Sequence, residues 1–231
     1  KDIILPKRPE KAVAQIAVDS KYWLWINGQL AVFEGGVKRG PTPKDTYYDE
    51  VDLAPFLQKG KNQIAILVWY FGKEGFSHKS SGQAGLLFNL ESKKFVLGSD
   101  ETWLCRIHPA YGSADAPYPN FRLPESNIRF DARKDMTTEC PETLGFSNAL
   151  VLGTWGEAPY NKLIKRPIPQ WKDFGIRSFE SMRRLKGEQQ DTLIALLPYN
   201  LQMTPILEIT DPVGGNCIGI YTDNTYAAGD I

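Results

Sequence analysis

Apolar residues in this chain come in short bursts, and that feature most limits what it can fold into. Residues 12–18 (AVAQIAV), 21–26 (KYWLWI), 62–70 (NQIAILVWY) and 84–90 are each rich in aromatic or branched side chains. The first three are followed within two residues by Asp19, Asn27 and Gly72. Long amphipathic helical periods are hard to find. Recurrent short runs between turn formers are the pattern of sandwiches and barrels. Asn27-Gly28, at the end of the first aromatic run, predicts a tight hairpin, because both residues tolerate positive φ. Residues 29–33 then return as its second strand, and 46–51 extend as another. Residues 52–57 predict one helical turn, with Asp52 near its cap and Gly60 just beyond its end. Residues 62–70 read as a central strand, and 103–108 and 127–132 as further strands. The fold class is mainly β.

The chain has 231 residues, enough for one large domain or two modest ones. Its 27 Lys and Arg balance 27 Asp and Glu. Nothing in that balance points to a nucleic-acid or membrane-surface partner. No apolar run approaches the roughly 20 residues of a membrane-spanning helix. Lys1 opens a polar segment without the charged, apolar and small-residue succession of a secretion signal. Cys105, Cys140 and Cys217 are far apart and show no metal-binding spacing. Buried free thiols are the expectation for them.

Regularity loosens along the chain. Residues 72–82 (GKEGFSHKSSG) form a long polar loop after an aromatic strand end. Residues 111–123, rich in Pro, Tyr and Gly, should be irregular. Residues 159–169 (PYNKLIKRPIP) predict an extended linker, since Pro167 and Pro169 disfavour helix around them. Beyond it, 192–197, 206–210 and 217–221 read as strands, the last two joined by a turn at 211–215. The expected organisation is a sandwich over 1–158, a linker over 159–170 and an incomplete second sandwich over 171–231.

The stretch YWLWINGQLAVFEGG followed by TYYDEVDLAPFLQKGKNQIAILVWYFG resembles the galactose-binding-like jelly rolls of multidomain glycoside hydrolases. The matching elements are Ile26-Asn27-Gly28, Asp52-Leu53 and the run from Leu57 to Asn62 with Gly60. The run NIRFDAR (127–133), then GFSNA (145–149) and Arg166-Pro167-Ile168-Pro169 narrow the likeness. They resemble the segment joining the jelly roll to the next β-domain in bacterial α-L-rhamnosidases, and IGIYTDNT (218–225) resembles a strand of the sandwich that follows. Residues 140–144 depart from the usual wording of that segment. The resemblance implies the N-terminal, non-catalytic region of such a hydrolase. The rest of the same polypeptide would then supply a helical (α/α) catalytic barrel, which this chain does not contain. It also implies rhamnose-containing glycans as partners and a periplasmic or extracellular location. A freestanding carbohydrate-binding module and the front domain of a β-galactosidase-like enzyme are the alternatives.

Glycoside hydrolysis needs two carboxyl groups held across the scissile bond. Glu34, Asp45, Asp49, Glu74, Asp131 and Asp135 lie on predicted loops and strand ends without a pairing signature, so no catalytic residue is assigned. Ser-nucleophile, zinc-protease and phosphate-loop motifs do not occur. His108 beside Pro109 reads as structural. Sugars stack their C–H faces on aromatic rings and need polar forks for their hydroxyls. Trp69, Tyr70, Lys73, Glu74 and His78, at a strand end and in the polar loop, are therefore the candidate sugar contacts. Trp23 and Trp25 share one strand face, and core packing is expected of both. Related jelly rolls can hold calcium, and Asp19, Asp49 and Asp52 sit near strand ends. No spacing marks a metal site, so no cofactor is assigned.

Overall fold

A computed structural model describes residues 1–36, 40–75, 78–113, 128–135, 145–172, 174–199, 206–208, 210, 214–215 and 218. The chain divides into two compact units, Lys1–Asp173 and Phe174–Ile231. Among the described residues the strands are β1 (Asp2–Leu5), β2 (Val13–Asp19), β3 (Lys21–Ile26), β4 (Gln29–Gly36) and β5 (Thr46–Asp52). They continue with β6 (Gly60–Trp69), β7 (Gly85–Ser92), β8 (Phe95–Gly98), β9 (Leu104–Cys105) and β10 (Tyr111–Ser113). The last are β11 (Ile128–Phe130), β12 (Ser147–Asn148), β13 (Leu163–Lys165), β14 (Ser181–Leu185) and β15 (Thr192–Leu196). A 3-10 turn covers Ala132–Lys134.

The first unit is a β-sandwich. One sheet has the order β1-β6-β3-β4, the other β13-β5-β2-β7-β8. Alternate residues of each sheet point into a shared core, as the two-residue period of a strand requires. Ala14, Ile16 and Val18 of β2 meet Tyr22, Leu24 and Ile26 of β3 there, with Ile64, Phe88 and Leu90. This reverses the expectation for Trp23 and Trp25. β3 is apolar on both faces, and the face that enters the core carries Tyr22, whose hydroxyl donates to buried Asp49 at 3.0 Å. The two tryptophans stand half-buried on the outer face.

Two separate motifs turn out to be one hydrogen-bond network. Asn27 and Gly28 adopt positive φ (53° and 77°) and close the β3–β4 hairpin, with Ile26 opposite Gln29. The Asn27 amide donates to the Phe56 carbonyl and to Asn62 Oδ1, both at 3.0 Å. Asn62 is fully buried; its Oδ1 also accepts from Gln58 N, and its Nδ2 donates to the carbonyls of Gln58 and Gly60. All four of its hydrogen-bonding positions are filled, which is why an amide occupies this place. The predicted turn after β5 is present: Leu57 N–H donates to the Leu53 carbonyl, and Asp52 Oδ1 accepts from Ala54 N and Ala12 N. Asn62→Ala should cost about 2–4 kcal/mol, since it strands several buried partners. A lowered urea midpoint with an unchanged slope checks this.

Other expectations change. The stretch 159–170, expected as a linker, contributes β13, which pairs in parallel with β5 through Leu163, Ile164 and Lys165. Residues 111–113, expected to be irregular, form β10 against β11. Cys105 is exposed rather than buried, because β9 is a two-residue strand paired with β12 at the surface. Cys140, Cys217 and the strand expected at 217–221, save residue 218, lie outside the described residues. In the second unit β14 pairs with β15, matching the strand expected at 192–197.

Candidate functional site

The polar loop after β6 is fastened at the junction of β2 and β3. β2 ends at Asp19, which is 0% exposed, and His78 of the loop is 2% exposed. His78 Nε2 lies 2.8 Å from Asp19 Oδ1 and 3.1 Å from Ser20 Oγ. The Ser20 hydroxyl donates to Asp19 Oδ1 at 2.7 Å and accepts from Phe71 N–H at 3.1 Å. On its other oxygen, Asp19 accepts from the Ser80 hydroxyl at 3.1 Å and from the Ser81 hydroxyl at 2.7 Å, with Ser81 N–H beside them. Burial alone would raise the Asp19 carboxyl. The donors from His78, Ser81 and Ser20 outweigh it and hold the group well below the usual carboxylate range.

Aspartate, histidine and serine thus meet, but not as a nucleophilic relay. Such a relay needs the carboxylate on one ring nitrogen and the hydroxyl on the other. Here both face Nε2, so the cluster is a clamp on 78–81. His78, read from the sequence as an exposed sugar contact, is a buried member of that clamp. Its position in a polar loop concealed this, because Asp19 lies 59 residues away in sequence.

The other expected contacts remain near the surface. Lys79 and Glu74 pair across the loop at 3.3 Å, both more than half exposed. Lys73, Tyr70 and Trp69 are partly buried. Trp69 belongs to a row of rings along the outer face of the four-stranded sheet. Phe33 stands edge-on to Trp23, which lies nearly parallel to Trp69 at 6.3 Å and 19°. Phe71 meets Trp69 edge-on at 4.9 Å, and His78 follows Phe71 at 5.3 Å. Lys21 Nζ lies 5.8 Å from the Trp69 ring centroid and 3.1 Å from Glu34 Oε2. Nothing local in the sequence sets Phe33 of β4 against Trp23 or Glu34 against Lys21.

A second buried charge joins β13 to the sandwich. Asp49, 1% exposed, is held by Arg166 Nε, the Tyr22 hydroxyl and Gly36 N–H. Burial, with Asp49 alongside, pushes the Tyr22 phenol well above its ordinary range. The remaining carboxylates weighed as catalytic candidates also have partners. Asp45 accepts from Thr42, Asp131 pairs with Arg133, and Asp135 lies 3.6 Å from His108. Asp52 is occupied by the two backbone donors of the turn. Among the described residues no group of three His, Cys, Asp or Glu side chains could hold a metal ion.

Fold and sites together define a β-sandwich module whose buried carboxylates fasten a loop and an edge strand. No family model and no curated protein matches the chain. Among solved structures it is similar to the GH78 family rhamnosidase of Bacillus sp. GL1, at 26% identity and a TM-score of 0.63. That match covers 80% of this chain and 20% of the rhamnosidase. The α-L-rhamnosidase from Dictyoglumus thermophilum shares the fold at 20% identity and a TM-score of 0.56, over 79% of this chain and 20% of its own. The chain therefore spans about a fifth of the length of the rhamnosidases it matches. The likeness to α-L-rhamnosidases carried by the sequence motifs is present in the structure as well.

Proposed function

We propose that this chain is a non-catalytic, carbohydrate-associated region of an α-L-rhamnosidase-like glycoside hydrolase, acting outside the cytoplasm. The carrying observation is the match of four-fifths of this chain to one-fifth of a GH78 rhamnosidase. In this reading the module is the galactose-binding-like jelly roll that supports a catalytic barrel elsewhere in the polypeptide. The geometry supports it: Asp49 and Asp19 hold strands and loops together, and the surface carboxylates Glu34, Glu74 and Asp131 are paired with cations. Saccharide contact falls to Trp69, Tyr70, Lys73 and Glu74 at the end of β6 and in the loop after it. His78 has no part in it, being committed to Asp19.

The purified chain is expected to show no turnover of an aryl α-L-rhamnoside. Activity that survives repurification, and that disappears when one carboxylate of this chain is replaced, would overturn the proposal.

A further inference from the structure

We infer that the outer face of the four-stranded sheet, at Trp23, Trp69, Phe33, Lys21 and Glu34, is a subsite for a neutral saccharide. The inference rests on the carbohydrate-associated reading and places a contact that the polar loop does not supply.

The local backbone is built to make this cluster. Tyr22 pairs with Gly35 and Leu24 with Val32, so Phe33 and Glu34 together stand opposite Trp23. That is a β-bulge, a device that re-aims side chains. Glu34 holds a φ of 53°, uncommon for a non-glycine residue and costing about 1–3 kcal/mol. The two glycines that follow permit the bend. A Cβ on Gly35 would fall 2.2 Å from the Tyr22 ring, and Gly36 sits at φ 87°. The result sets Phe33, 42% exposed, at 87° to the Trp23 ring and brings the Glu34 carboxylate to Lys21.

The chemistry selects the occupant. Trp23 and Trp69 lie nearly parallel, 6.3 Å apart and each only partly buried, and such a pair of rings on an outer sheet face suits the C–H face of a sugar. The Lys21–Glu34 pair beside them is a neutral donor–acceptor fork. An apolar protein surface laid over it would desolvate both charges and return no hydrogen bonds. Sugar hydroxyls replace that water bond for bond.

The test is an NMR titration of the ¹⁵N-labelled chain with L-rhamnose, D-galactose and cellotetraose, to about 50 mM, enough to saturate a millimolar site. The indole N–H signals of Trp23 and Trp69 should move saturably with at least one of these sugars. Lys21→Met and Glu34→Gln should each weaken that binding about tenfold, as for a lost hydrogen bond to a charged group. A melting curve for each variant checks that it stays folded at the titration temperature, since the two side chains are only 18% and 27% exposed. Shifts confined to loop 72–82 would overturn the subsite and leave the carbohydrate-associated reading in place. No shift with any of the three sugars would overturn both the subsite and the saccharide contact at the end of β6, leaving the module a structural support. Binding equal in wild type and both variants, or self-association that buries these indoles, would overturn the subsite.

Discussion

Asp19→Ala should cost the chain about 3–5 kcal/mol, the range for removing one partner of a buried ionic cluster. The loss is large because a single carboxylate accepts from His78, Ser20, Ser80 and Ser81, and two of these donors, His78 and Ser20, are themselves buried. Amides of residues 78–81 should lose hydrogen-exchange protection along with the fall in stability. The same carboxylate gives an acid limb of known sign. Its folded pKa lies below the ordinary value of 3.8, so its contribution is complete above that value and is lost as pH falls below it. Urea midpoints between neutral pH and pH 3 should therefore fall less steeply in Asp19→Asn than in the wild type. An Asp19→Ala chain as stable as wild type, with loop protection intact, would mean that the clamp does not hold the loop.

Breaking the second cluster should have a comparable effect. Asp49→Ala leaves Arg166, the Tyr22 hydroxyl and Gly36 N–H facing a buried gap, at an expected cost of about 3–5 kcal/mol. Arg166→Met should also destabilise, because it leaves the Asp49 charge buried beside its neutral donors. Combining Asp49→Ala with Arg166→Met removes both charges and should recover part of the loss, giving a coupling energy in the double-mutant cycle. Additive effects would show that Arg166 does not act through Asp49. The edge strand β13 should loosen first, since Arg166 follows it directly and Arg166 N–H also donates to the Tyr48 carbonyl.

Local chemistry was legible without a structure. Strand positions followed from short alternating runs, and Asn27-Gly28 specified its hairpin because only such residues accept its dihedrals at little cost. The turn after Asp52 and the glycine at position 60 were equally local, each depending on neighbours within a few residues. Short strands with weak patterns were not legible: β1, β8 and β14 carry too few alternating residues to stand out.

What the sequence alone determined, then, was a β protein with its principal hairpin, its turns and its likeness to rhamnosidase modules. Tertiary structure decided which face of each strand turned inward and which distant residues met. A strand such as KYWLWI is apolar on both sides, so period-two alternation cannot choose between Tyr22 and Trp23. The choice depends on Asp49, 27 residues away, which receives the Tyr22 hydroxyl in the core. His78 illustrates the same limit: a polar loop predicts exposure, yet a buried carboxylate 59 residues earlier draws the imidazole inside. Bulges act likewise, because the extra residue that aims Glu34 at Lys21 exists only once β3 and β4 are paired. Hydrogen bonds and desolvation between distant residues decide such placements, and neither leaves a periodic trace in the chain.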